Sequence, residues 1–256
     1  GGIYFVGVSN SFVTGNYIFS PGTGIRSSGM PPSFGNSYID NTIINSSLFG
    51  FRFIGESNFI IKDGKIKDSH ARALFLTSFN WIVDNVSVEG TFPGNNSYDL
   101  FVQDPLISLV SDNKLINFQN INRYSFGGTN LTIQDTRFGE IKFLNGAFGS
   151  GTNLSNDIQI KNNSASVKVG QNPGFNKPAE ITLYNIGNRS FVNPAIKRNL
   201  ANCPANVCTA LTPLDAQTVK FNVTGFANSV TTYRVGDRSR AFDPSVVPMA
   251  FSQPEA

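Results

Sequence analysis

Residues 3–18 (IYFVGVSNSFVTGNYI), 51–66 (FRFIGESNFIIKDGKI) and 73–88 (ALFLTSFNWIVDNVSV) repeat one pattern: strand, asparagine-bearing turn, strand, second turn, strand. A unit this short cannot bury its own apolar face and must stack on its neighbours, so the repeat constrains the fold before any composition is considered. The first-turn asparagines Asn10, Asn36, Asn58 and Asn80 are 26, 22 and 22 residues apart. Second turns follow at Gly15-Asn16, Asn41, Asp63-Gly64 and Asp84-Asn85, which makes one coil about 22 residues. Leucine-rich repeats share that period, but their leucine positions are absent and β-branched and aromatic residues fill the strands instead. Each coil is expected to lay three short strands on the coil below, with Phe on Phe and Ile on Ile inside. Asparagine at the bends is expected to take left-handed geometry and to bond the neighbouring rung.

The fold class that follows is all-β, a right-handed single-stranded parallel β-helix with a smaller β-rich C-terminal module. After Val88 the rhythm loosens, because residues 89–100 (EGTFPGNNSYDL) insert a Gly-, Pro- and Asn-rich excursion. Coil-like runs resume at 106–110, 114–121, 130–138, 157–163 and 180–186, so the helix is read as covering 1–187. From Asn188 the pattern changes to a Pro- and Cys-bearing loop followed by the runs TVKFNVTGF and VTTYRVGDRSRAF, which read as antiparallel strands of a module over 188–243. The proline-rich stretch 244–256 reads as an extended tail. Gly1-Gly2 runs straight into a strand-like stretch, which reads as a boundary inside a longer protein.

Charge excludes several functions. Only 14% of residues are charged, and the net charge of +3 comes from scattered Lys and Arg without a basic block, so no nucleic-acid partner is expected. No apolar run approaches the ~18 residues of a membrane span. Cys203 and Cys208 enclose four residues in CPANVC; a small loop-closing disulfide and two free thiols both fit that spacing.

The coils GIYFVGVSNSFVTGNYIF and FGFRFIGESNFIIKDGKIKD resemble the repeat of pectate-lyase-like β-helix proteins: polysaccharide lyases, polygalacturonase-like hydrolases, uronan epimerases, phage tailspike depolymerases and some adhesins. The resemblance covers roughly residues 2–187 and is specific for architecture, much less so for chemistry. A β-helix followed by a β-rich module is most similar to the tailspikes. That similarity implies a homotrimer at a virion surface or otherwise outside the cell, cleaving a bacterial capsular or lipopolysaccharide glycan. Some lyases of the group hold calcium on Asp carboxylates; no loop here is marked for it, and no cofactor or metal is expected.

Glycoside hydrolysis needs two carboxyl groups, ~5 Å apart for retention or ~6.5–9.5 Å for inversion. Rungs lie ~4.8 Å apart, so acids one coil apart qualify. With a coil of 21 to 22 residues, Asp63 is expected to stack near Asp84 and Asp68 near Glu89. Asp63 and Asp84 also suit plain turns, whereas Asp68 and Glu89 stand beside the 89–100 insertion, which could wall a groove. The single histidine, His70, could serve as the base of a lyase or epimerase with Arg72 neutralising the developing charge; a hydrolase would use Arg72 to bind substrate. Most phenylalanines must fill the interior, which leaves Trp81 and Tyr98 as the aromatics for stacking on sugar, with Phe79 and Phe101 nearby. Three functions therefore stand: a tailspike-like hydrolase, a secreted uronan lyase or epimerase, and a non-catalytic adhesin or structural spike. Paired carboxylates in a groove favour the first, a Lys- and Arg-lined groove the second, and a flat surface with carboxylates only at turns the third.

Overall fold

The computed structural model describes residues 2–28, 31–92, 97–103, 114–117, 121–227 and 229–238. The runs 106–110 and 244–256 and the middle of the 89–100 insertion lie outside them. The N-terminal part is a parallel β-solenoid of about 5 turns. Its first face stacks Ile3–Phe5, Thr23–Ser27, the leading parts of Phe49–Lys62 and Arg72–Asp84, then Tyr98–Gln103 and Tyr124–Thr129. A second face stacks Phe12–Thr14, Ser37–Ile39, the trailing parts of the same two long strands, Lys114–Asn117 and Thr132–Asp135. The third consists of Tyr17–Phe19, Thr42–Ile44, Lys65–Lys67 and Ser87–Glu89.

Alternation along each strand sorts side chains inward and outward. One inner column runs Ile3, Ile25, Phe51, Leu74, Leu100, Tyr124, in steps of 22, 26, 23, 26 and 24 residues. From Ile25 onward every member is fully buried. Coil length therefore varies while the column holds, because the extra residues are taken up between strands.

The corners carry the left-handed residues. Asn10, Gly35, Asn58 and Asn80 make the first, Gly15, Asp40, Asp63 and Asn85 the second, and Asn45, Asp68 and Gly90 the third. Asparagine, aspartate and glycine tolerate this conformation at the lowest cost. Asn36 departs from the expected ladder: Gly35 makes the bend, and Asn36, one residue on, is buried inside it. Its side chain accepts from the Ser11 amide and donates to the Val8 carbonyl, both at 2.9 Å. Asn41 repeats the device at the second corner, accepting from the Asn16 amide at 3.2 Å and donating to the Val13 carbonyl at 2.7 Å.

Parallel order ends at Asp135, not at Gly187. Thr132–Asp135 turns back into Gly139–Phe143, and Ala179–Tyr184, Thr218–Val223 and Cys208–Ala210 continue that sheet, all antiparallel. Ile158–Lys161, Ser164–Lys168, Val230–Asp237, Pro194–Arg198 and Ala201–Asn202 form a separate antiparallel sheet. The runs at 157–163 and 180–186, read as coils, are strands of this antiparallel part. Inward–outward alternation is the same in either direction; what differs is connection length, since a parallel neighbour needs a long crossover and a short turn forces reversal. One continuous cluster of buried side chains, from Val13 to Val235, spans both parts. Cys203 and Cys208 are disulfide-bonded, with Cα atoms 6.0 Å apart. Among the described residues no helix is long and apolar enough to cross a membrane.

Candidate functional site

The expected acids are neighbours across adjacent coils, the Asp63 and Asp68 amides donating to the Asp84 and Glu89 carbonyls at 3.0 and 2.9 Å, but they are offset by one residue and neither pair is in register. Between the two coils that carry these acids the step at the second and third corners is 22 residues, so Asp63 stacks on Asn85, which donates to it at 2.6 Å, and Asp68 stacks on Gly90. Asp84 instead lies in register with Lys62, with 3.7 Å between their charged atoms. Glu89 lies in register with Lys67 on the exposed third face, 3.0 Å from the Lys65 ammonium and 3.1 Å from that of Lys67. Lys65, then Lys67, hold the Glu89 carboxyl below the usual range, which suits an ion pair and not a proton donor. Asp63 and Asp68 are the left-handed turn residues themselves.

Trp81 is corrected outright: it points into the solenoid and is 1% exposed, so it cannot stack on a sugar. Its neighbour Ile82 takes the outward position. Phe79 is half-buried. His70 is exposed, with its ring stacked on Phe92 at 4.3 Å between centroids and its Nδ1 3.4 Å from the Ser46 carbonyl.

Arg72 and Tyr98 fare differently, because register sets them directly side by side on the outside of the first face. One outer column there runs Tyr4, Arg26, Arg52, Phe75, Phe101, and the column beside it runs Thr23, Phe49, Arg72, Tyr98. Arg26 lies over the Tyr4 ring at 4.7 Å, Arg52 near Phe49 at 5.4 Å, and Arg72 over Phe101 at 4.1 Å and Phe75 at 5.0 Å. Phe75 and Phe101 stack on each other at 5.2 Å. Each such cation–ring contact contributes about 0.5–2 kcal/mol and uses the face of the guanidinium, not its N–H edge; in Arg26 the Nε–H donates to the Ser28 hydroxyl at 2.8 Å.

Among the described residues no carboxylate pairs with Arg26, Arg52 or Arg72, and no acid occupies an outward position in either column. Arg26 and Arg52 are direct cross-strand neighbours, an arrangement that costs stability. Burial, and then Arg26, pull the Arg52 guanidinium below its ordinary value; burial does the same to Arg72. Fold stability alone does not explain placing like charges together without a counter-ion. The chain matches no family model, no curated protein and no solved structure.

A concavity of about 480 Å³ opens where the second face ends, and its lining includes Asp84, Asn85, Asn117, Gln134, Asp135 and Arg137. Arg137 grips Asp135 through two nitrogens, at 2.8 and 3.1 Å, and holds that carboxyl below the usual range. Asn117 donates to Asp84. Asp135 was invisible to the one-coil stacking argument because it stands two strands from Asp84. Arg26, Arg52 and Phe75 were also missed, although outward parity on successive coils would have found them once the register was known.

Proposed function

We propose that this protein is a polysaccharide-binding β-solenoid that lays a linear acidic glycan along its first face. The observation that carries this reading is the run of three guanidinium groups, each packed on an aromatic ring and none neutralised by an acid among the described residues. A surface that presents similar groups about every 4.8 Å along its axis matches a ligand that also repeats. Planar guanidinium edges suit carboxylate, sulfate or phosphate substituents. Stacked bases would need open ring faces, whereas Phe75 and Phe101 cover each other and Arg72 covers both, which speaks against single-stranded nucleic acid. The Cys203–Cys208 disulfide agrees with a location outside the cell or on a virion surface. The homotrimer implied by the likeness to tailspikes belongs to this reading, and light scattering giving a monomer removes it.

Affinity electrophoresis through polygalacturonate, hyaluronan, a sulfated glycan and neutral dextran tests the proposal. Retardation is expected in the acidic gels and not in dextran. Arg52→Gln and Arg72→Gln are each expected to lower affinity by roughly tenfold, the size of one charge-assisted hydrogen bond. Equal retardation of both variants and wild type sinks the reading.

A second reading, tailspike-like cleavage, is favoured by one observation: Asp84 and Asp135 line the same concavity. If it is right, reducing ends are released from a susceptible glycan and Asp135→Asn abolishes the release. Absorbance near 232 nm in the same digest would instead mark a lyase.

A further inference from the structure

Glu56 is fully buried, and neither reading of the surface uses it. It sits in an irregularity of the strand Phe49–Lys62, where the register against Arg72–Asp84 shifts between Ile54 and Ser57 and Gly55 adopts φ 71°. The shift turns the side chain inward at the corner between the first and second faces. There Oε1 accepts from the Tyr38 hydroxyl and from the Asn36 amide, each at 2.9 Å, and Oε2 lies 3.1 Å from the same hydroxyl. Asn36 in turn bonds the Ser11 amide and the Val8 carbonyl of the preceding coil. The three N-terminal coils are thus joined through one carboxyl group. Tyr38, Asn36 and the Ser27 hydroxyl are what face it from the neighbouring strands; among the described residues no Lys, Arg or His pairs with it.

We propose that Glu56 is a pH-sensitive latch, which holds the first three coils in register when protonated and loosens them when ionised. An ionised carboxylate here is a buried charge without a counter-ion, a state that proteins avoid by keeping the proton. Burial pushes the Glu56 carboxyl above its ordinary value, and the bonds from Asn36 and Tyr38 only partly oppose this. Because the folded-state value is raised, the stability contribution is complete below the unfolded value and is lost as pH rises through the folded one. The latch also underlies the binding face. Arg52 is flanked in sequence by Phe51 and Phe53, whose rings lie 6.4 and 4.6 Å from that of Tyr38.

Thermal and urea unfolding followed by circular dichroism, from about pH 4.5 to pH 8.5, tests this without any glycan. The unfolding constant of the wild type is expected to rise by up to tenfold per pH unit from the ordinary carboxylate range to the folded-state value, then level off. His70 is the one histidine, so His70→Gln, run in parallel, takes the imidazole out of the comparison and is expected to keep the dependence. Glu56→Gln is expected to flatten it. A wild type whose stability does not fall across this range overturns the latch, and so does a Glu56→Gln variant with an unchanged slope. If Glu56→Gln does not fold, Tyr38→Phe decides: removing a donor to the carboxylate is expected to move the levelling-off point to higher pH, and an unmoved point rejects the proposal.

Discussion

At the scale of single residues, Trp81 shows how chemical identity and geometric position diverge. Indole is the side chain best suited to a sugar, yet the parity of the strand sends Trp81 inward with Val83 and sends Ile82 out. Its Nε1 is buried and has no hydrogen-bond partner among the described residues. Trp81→Ala is therefore expected to cost about 3–5 kcal/mol in urea unfolding. Trp81→Phe, which removes an unsatisfied N–H, is expected to cost less than about 1.5 kcal/mol. Glycan affinity of the folded Trp81→Phe protein should equal that of the wild type, and a tenfold loss would return the residue to the binding surface. Glu89 makes the same point for acids: with Lys65 and Lys67 on either side it is an exposed ion pair, and Glu89→Gln is expected to leave both glycan binding and any cleavage unchanged.

At the scale of elements, the corners carry the stacking information. Asn41 joins two coils through its bonds to the Asn16 amide and the Val13 carbonyl. Asn41→Ala leaves these buried groups unpaired and is expected to lower stability by about 1–3 kcal/mol, seen as a shift in urea midpoint at constant slope. An unchanged midpoint would show that water replaces the side chain. The asparagine and glycine turns were legible in sequence because few residues tolerate positive φ. The partners across them were not. A coil of 21 residues would have set Asp63 on Asp84 and Asp68 on Glu89, but the step of 22 sets Asp63 on Asn85 and Asp68 on Gly90. One residue of slip exchanges stacked acids for turn residues and lysine pairs, since alternate side chains point to opposite faces. The reversal after Asp135 was readable in principle, because so few residues separate Asp135 from Gly139 that the chain has to double back.

At the scale of the whole molecule, the solenoid and the antiparallel part share one core, so they are expected to unfold in a single transition by both circular dichroism and tryptophan fluorescence. Two separated transitions would show that the junction at 135 to 139 uncouples them. Binding along the arginine face should weaken as salt rises, because half-exposed guanidinium charges are screened at a Debye length of about 10 Å in 0.1 M salt. Sequence alone determined the three-strand coil, the residue types that make its bends and the alternation that sends the isoleucines of the third face inward, because each of these is set within one repeat by steric limits and alternation; it misjudged the phenylalanines, of which Phe75 and Phe101 stack on the outside. Tertiary structure decided where parallel pairing stops, which acids meet which bases, and that Arg26, Arg52 and Arg72 gather on one face. Those outcomes depend on residues more than twenty positions apart, and coils of 22 to 26 residues bring them together only when every intervening turn has taken up its share of the difference.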